Sequence, residues 1–224
     1  MEQLARLPMR DERAMQMVEI IVLKWKCPEI ETKCAQHLIS HTAWPFKLVM
    51  YDNRPNSPNT SRIWNKLIRQ ATCEFVCVMD SDVFVQPSEP CWLQRMMDTF
   101  ARFPDCRLVL PVTDRCSTPA QKVTAPDQFP AVVRHDHEWS GFCFLMRKNL
   151  IEQVGEFDQE FVGYGQDSEF SMRLAREGGG SYIRRDVMVN HLHGASFRTA
   201  SLLGAHDDLA DREYAQRLFQ AKQR

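Results

Sequence analysis

The run Phe75–Met79 (FVCVM) ends abruptly on Asp80-Ser81-Asp82, and this junction constrains the fold more than any other stretch of the chain. A short continuous apolar run without polar alternation suits a strand buried on both faces. Two similar runs precede it, Val18–Leu23 (VEIIVL) and Lys47–Tyr51 (KLVMY), the second closed by the turn-rich stretch Asp52–Thr60. Helical patterns lie between them, over Glu29–Ser40 and over Ser61–Ala71, where Ile63, Leu67 and Ile68 recur at helical spacing beside Trp64. A helix over Pro90–Phe103 and a strand over Arg107–Val112 follow. Strands alternating with helices predict an α/β chain with a Rossmann-like, mostly parallel central sheet and flanking helices. Ligands gather beyond the carboxyl ends of such strands, where both Asp52 and Asp80 fall.

The second half is less regular. Thr113–Asp136 is polar and reads as a flexible loop, Glu138–Met146 as a strand and Lys148–Val154 as a short helix. Gln166–Glu177 predicts a helix with Phe170, Met172 and Leu174 on its apolar side, ended by Gly178–Gly180. Val187–His191 predicts the last strand. Asp208–Lys222 predicts an amphipathic C-terminal helix using Leu209, Leu218 and Phe219.

A chain of 224 residues accommodates one α/β domain with a sizeable core. Its formal net charge of −1 supplies no global field toward nucleic acid or an anionic membrane. No run approaches the ~20 apolar residues of a membrane span, and Met1–Arg13 lacks the apolar core of a signal peptide. The expected compartment is cytoplasmic. The eight cysteines include no C-x-x-C pair, which argues against a structural zinc site. Cys73, Cys77 and Cys143 lie in apolar runs, where a thiol packs as a small hydrophobe.

Several residues carry candidate chemistry. Asp80 and Asp82, one residue apart at a strand end, can hold a hard divalent cation while leaving positions for water and phosphate oxygens; a polar strand-to-loop turn is the plainer reading. Asp52, followed by Asn53, can accept hydrogen bonds from a nucleobase or ribose, or simply start a turn. Asp167 can take a proton from an acceptor hydroxyl, or cap a helix. His191 and His193 follow the last strand, and one neutral imidazole can complete a metal site. His135 and His137 form a second pair, inside the polar segment.

Taken together, these residues resemble the GT-A fold glycosyltransferases, specifically the inverting family 2 type. The resemblance runs from about Val18 to Ser196. It rests on Asp52-Asn53, on Asp80-Ser81-Asp82, and on an ordered second half: Trp139-Ser140-Gly141-Phe142, Gly155 through Phe161, Gly165-Gln166-Asp167 with Arg173 and Gly178, and His191 through Ser196. It implies a single domain with a nucleotide-binding half over about 15–112, an acceptor-side half over about 113–200 and a C-terminal helix over about 207–222.

The resemblance also implies roles. Asp52 would hold the base and Asp80 the ribose or a metal-bound water. Asp82 would be the principal ligand of Mn²⁺ or Mg²⁺, with His191 or His193 as a third ligand. Trp139 and Gly141 would line the sugar and acceptor pocket, and Asp167 would be the general base. The donor would be a nucleotide sugar, most simply a UDP-sugar. The acceptor would be a hydroxyl on a glycan, lipid, small molecule, protein or hydroxymethylated DNA base. The chain departs from the family where Leu23-Lys24-Trp25-Lys26 replaces a P-T-Y-N-like segment, leaving Trp25 to stack on the base, and where Gln166 replaces a glutamate beside Asp167.

Two other readings fit a Rossmann-like sheet with metal-binding acids. A nucleotidyltransferase would carry a Gly-rich phosphate loop after the first strand, and LKWKCPE has none. A non-catalytic sugar-nucleotide-binding protein is the other. Basic residues at Arg184-Arg185, Arg212, Arg217, Lys222 and Arg224 form either a solvated surface or, if they line the cleft, a site for a polyanionic acceptor.

Overall fold

The computed structural model describes residues 16–24, 27–53, 59–123, 130–192 and 208–222. Its eight strands are β1 (Val18–Lys24), β2 (Phe46–Asp52), β3 (Phe75–Asp80), β4 (Val83–Val85), β5 (Leu108–Thr113), β6 (Val132–Arg134), β7 (Cys143–Arg147) and β8 (Ser181–His191). They form one sheet in the order β2-β1-β3-β7-β5-β8-β4, with β6 also paired to β8. β1, β2, β3, β5 and β8 run in one direction and β4, β6 and β7 run against them. The sheet is therefore mostly parallel, as the alternation of strands and helices predicts, with β7 inserted antiparallel between β3 and β5.

The helices are α1 (Pro28–His41), α2 (Thr60–Gln70), α3 (Trp92–Arg102), α4 (Leu150–Val154), α5 (Gln166–Arg176) and α6 (Asp208–Lys222). Two cores cover the two faces of the sheet, and the period-2 geometry of a strand explains why its sequence is continuously apolar. Phe75, Cys77 and Met79 of β3 join one core with Leu38 of α1 and Trp92, Met96 and Phe100 of α3. Val76 and Val78 face the other way, into a core with Trp64 and Ile68 of α2, Leu150 of α4 and Phe170 and Leu174 of α5. Each large apolar side chain fully buried here stabilises the fold by about 1.5–3 kcal/mol. A polar residue on either face of β3 would therefore damage one core or the other. All eight cysteines are thiols; Cys77 and Cys143 are wholly buried and Cys73 is half-buried.

Several elements differ from the sequence expectation. The stretch read as a loop over Thr113–Asp136 contains a 3-10 turn at Pro119–Gln121 and the strand β6, while 124–129 lie outside the described residues. The last strand begins six residues earlier than Val187, immediately after the glycine triplet. Its polar Arg184-Arg185-Asp186 conceals it, because the pairing with β5 shifts there: Pro111 faces Arg184 but Val112 faces Met188. Arg184 is buried in this irregularity and is satisfied by Asp186, the Arg95 carbonyl and Thr99. Met172 is only half-buried in α5. Among the described side chains of α6, Ala215 is buried and Leu218 and Phe219 are half-buried; the side chain of Leu209 lies outside the description.

Candidate metal centre and cleft

The metal candidates meet through strand pairing. β3 ends on Asp80, a tight turn carries Ser81 and Asp82, and β4 starts at Val83. β4 then pairs antiparallel with the end of β8, placing Val83 opposite His191, and Leu192 N–H donates to the Asp82 carbonyl at 3.1 Å. Ligand atoms of Asp80, Asp82 and His191 consequently lie within 4.8 Å of one another. His191 Nε2 is 3.4 Å from Asp82 Oδ1 and 3.8 Å from Asp80 Oδ2. The other ring nitrogen, Nδ1, is 3.2 Å from the Arg115 carbonyl oxygen. Donation from Nδ1–H to that oxygen selects the tautomer whose Nε2 lone pair faces the two acids. Phe142 stacks on the imidazole at 5.1 Å between ring centroids and holds the ring plane.

The two acids differ in exposure: the Asp82 side chain is 5% exposed and that of Asp80 is 45% exposed. Enclosure by the cleft walls and then the Asp82 charge raise the Asp80 pKa, against a lowering by His191. With so much of its carboxylate open to solvent, the Asp82 charge is the firmer of the two raising causes. Burial alone would lower the His191 pKa, but the Asp82 hydrogen bond and the charges of Asp80 and Asp82 outweigh it and raise the value. Two carboxylates and an imidazole with ligand atoms converging at a strand end form an arrangement suited to a divalent cation.

Asp167 opens into the same cleft by a different route. Gly165 occupies the N-cap of α5 at φ 84°, so Asp167 lies inside the first turn and is not the cap. Its Oδ2 accepts from Gly141 N–H at 2.7 Å and its Oδ1 accepts from Ser168 N–H at 2.9 Å. Burial pushes its carboxyl up, against the lowering effect of those backbone donors. Gly141 is in turn held by its neighbour: Ser140 N–H donates to Gln121 Oε1 at 2.6 Å, and Gln121 Nε2 donates back to the Ser140 carbonyl at 3.2 Å. Buried Gln121 thus ties the polar segment to the centre, a role its polar surroundings in sequence do not signal.

The cleft encloses about 160 Å³ and is lined by Asp80, His191, Gly141 and Asp167, together with Tyr164 and Arg212. The 157–163 segment that leads into it is bolted to α2. Asn65 exchanges hydrogen bonds with both backbone groups of Phe157, Ser61 Oγ donates to the Phe161 carbonyl, and Thr60 N–H donates to the Val162 carbonyl.

Other predicted site residues fall elsewhere. Trp139 does not line the cleft; it is 1% exposed and packs on Phe144 and Phe170 in the core. Asp52 ends β2 and pairs with Lys24 at 3.8 Å. It stands two strands from Asp80, roughly 10 Å across the sheet. Trp25 and His193 lie outside the described residues. Of the described basic residues, Arg184 is buried against Asp186, Lys222 pairs with Asp158 and Glu160, and Arg217 pairs with Glu213, while Arg224 lies outside the described residues. Among the described members, Arg212 lines the cleft. Sequence reasoning gave no role to the Arg115 carbonyl, Gln121 or Tyr164, and quoted Phe142 only as part of a motif. A backbone acceptor leaves no side-chain signature, and the other three gain their roles only through long-range packing.

No family model matches the sequence, and no curated protein matches it. Among solved structures, the chain is similar to GalNAc-T7 with UDP, GalNAc and Mn²⁺, with a TM-score of 0.60 and 10% sequence identity. The match covers 78% of this chain and 43% of that one. At this identity the likeness shows the fold, a GT-A-like arrangement. Among the described residues no helix is long and apolar enough to cross a membrane.

Proposed function

We propose that the chain is a metal-dependent glycosyltransferase that moves a sugar from a nucleotide-diphosphate donor, a UDP-sugar, to an acceptor hydroxyl with inversion at the anomeric carbon. The observation that carries this reading is the convergence of Asp167 and the Asp80–Asp82–His191 cluster on one cleft. Likeness in fold to a structure holding UDP and Mn²⁺ supports it.

The donor set fits the ion. Carboxylate oxygens suit Mg²⁺ and Mn²⁺ alike, and the imidazole nitrogen favours Mn²⁺. Asp82 is the principal ligand, with Asp80 and His191 beside it. An ion held there supplies charge neutralisation for the departing diphosphate. The remaining work falls to the chain. Asp167, held by the Gly141 and Ser168 amides, takes the proton of the acceptor hydroxyl. The acceptor oxygen bonds to the anomeric carbon as the bond to the diphosphate oxygen breaks, and the electron pair leaves with the nucleoside diphosphate. Asp52, at the carboxyl end of β2, contacts the base or ribose.

Sugar release from UDP-sugars, with water or an added hydroxyl as acceptor, tests this reading in the presence of Mn²⁺. Activity that vanishes in Asp82→Ala and in Asp167→Asn is expected, with an inverted product by NMR. Retention of configuration, or full activity in either variant, would overturn the corresponding assignment.

A further inference from the structure

We infer that Gln166 is a specificity-determining residue of the cleft, its side-chain amide reading a hydroxyl of a neutral sugar bound beside Asp167. Calling the ligand a sugar rests on the transferase reading; the demand for a hydrogen-bond donor at Gln166 does not.

Gln166 opens α5 directly after Gly165, and its side chain lines the cleft together with that of Asp167. It is 6% exposed, and its Oε1 has no hydrogen-bond partner among the described residues. A buried amide oxygen in that condition costs free energy, and folded proteins keep few of them. Buried Gln121, nearby, shows the contrast: its Oε1 accepts from Ser140 N–H and its Nε2 donates to the Ser140 carbonyl. Both ends of that amide hold backbone. The carbonyl end of Gln166 holds none, and it is the end a ligand can use.

The surroundings narrow the ligand. A carbonyl oxygen accepts only from O–H or N–H. The Asp167 charge next to it disfavours an anion, and a cation would be drawn to the carboxylates before an amide. Ser117 and Ser140, whose hydroxyls lie 3.0 Å apart, add uncharged polar groups to the same lining. The last torsion of a glutamine is soft, so either end of the amide can turn into the cleft. Oε1 then accepts one hydroxyl proton and Nε2 donates to a neighbouring oxygen. A glutamate at 166 could only accept, and it would add a second charge beside the proposed base. A site that hydrogen-bonds a substrate hydroxyl also rejects analogues lacking it, because the buried amide is again left unpaired.

Calorimetric titrations with Mg²⁺ present test this in wild type, Gln166→Met and Gln166→Glu. The probes are UDP, the UDP derivatives of glucose, galactose and their N-acetylamino forms, and the four methyl glycosides added after saturating UDP. One UDP-sugar about tenfold weaker in Gln166→Met, with UDP unchanged, assigns the hydroxyl to the donor sugar. UDP-sugars unchanged, with a methyl glycoside about tenfold weaker, assigns it to an acceptor sugar. In either case Gln166→Glu, which keeps an acceptor oxygen, retains part of the affinity. Gln166→Met removes an unsatisfied buried oxygen, so it should melt no lower than wild type. A clear fall in its melting temperature marks the amide as structural and overturns the inference. Sugar affinities equal in wild type and Gln166→Met leave water as the partner of Oε1 and overturn it as well. Weaker UDP binding in Gln166→Met places the amide on the nucleotide and does the same. Wild type that binds UDP but gains nothing from any of the sugars overturns the inference and leaves the transferase reading standing. Methyl glycosides that bind without UDP binding, and bind more weakly to Gln166→Met, sink the transferase reading and leave Gln166 as a sugar-reading residue. Wild type that binds none of the probes sinks both.

Discussion

Gly141 donates its backbone N–H to Asp167 Oδ2 at 2.7 Å, and a Cβ built on Gly141 would lie 2.9 Å from the Asp167 Cβ. The glycine is therefore required by proximity: a side chain at 141 displaces the carboxylate that the same residue's amide holds. Gly141→Ala is expected to shift the first turn of α5, to cost about 1–3 kcal/mol of stability through overpacking, and to lower kcat/KM by about a hundredfold. Steady-state kinetics beside a thermal melt checks this. Wild-type activity in Gly141→Ala would show that the position of Asp167 does not matter to the reaction.

Burial raises the Asp167 pKa, and this predicts two pH effects of defined sign. A general base acts when ionised, so kcat/KM should rise with pH through a point above the ordinary aspartate range. The stability effect runs the other way. Folded Asp167 keeps its proton to higher pH than the unfolded chain does, so its contribution is fully present below the unfolded pKa. It is then lost as pH rises through the folded pKa. Asp167→Asn should abolish the reaction and remove that decline from a series of melts across pH. An acid limb at the position of a solvent-exposed carboxylate would contradict the burial argument.

The first half of the fold was legible because β1, β2 and β3 are buried on both faces and keep apolar runs of strand length, each ending near an acid or a turn. β4 was not, since three residues after Asp82 carry too little pattern to separate from the turn. β8 was half hidden by Arg184 and Asp186, polar residues that satisfy each other in a register shift. The same logic divides the site. Asp80, Asp82, His191 and Asp167 show themselves as chemically capable residues at element ends. Trp139 and Gly141 stand two apart, a spacing that puts both on one face of a strand, but regular β7 begins only at Cys143; in the irregular stretch before it Trp139 turns into the core while Gly141 lines the cleft, a divergence the sequence does not signal. Arg212 was legible only as one basic residue among several, because its selection depends on how α6 docks.

Arg173 illustrates a motif residue whose work here is structural. Its Nε and Nη2 donate to the two carboxylate oxygens of Glu169 at 2.6 and 2.7 Å, while Nη1 and Nη2 reach the carbonyls of Val154 and Glu156 at 2.7 Å. The fork thus clamps the start of the 156–165 segment to α5, across Gly155, whose φ of 94° disfavours any side chain. Lysine keeps the charge but not the fork, so Arg173→Lys should cost about 2 kcal/mol, or roughly 4–8 °C in melting temperature. Unchanged stability in that variant would show the clamp to be redundant.

Metal binding gives the most direct test of the centre. A cation that binds the folded chain alone stabilises it by about 2.7 kcal/mol at a hundredfold excess over Kd, so Mn²⁺ should raise the melting temperature of wild type. Asp82→Ala, which removes the most enclosed ligand of the cluster, should abolish the rise, and His191→Ala should reduce it. The pH dependence has a fixed direction. Both Asp80 and His191 have raised pKa values, the first by cleft enclosure and the Asp82 charge, the second because the two acids outweigh its burial. Each must be unprotonated to bind a cation, so protons compete and affinity falls as pH is lowered through their raised pKa values. Mn²⁺ titrations followed by electron paramagnetic resonance at several pH values would measure this. Affinity independent of pH, or equal in wild type and Asp82→Ala, would place the ion somewhere other than this cluster.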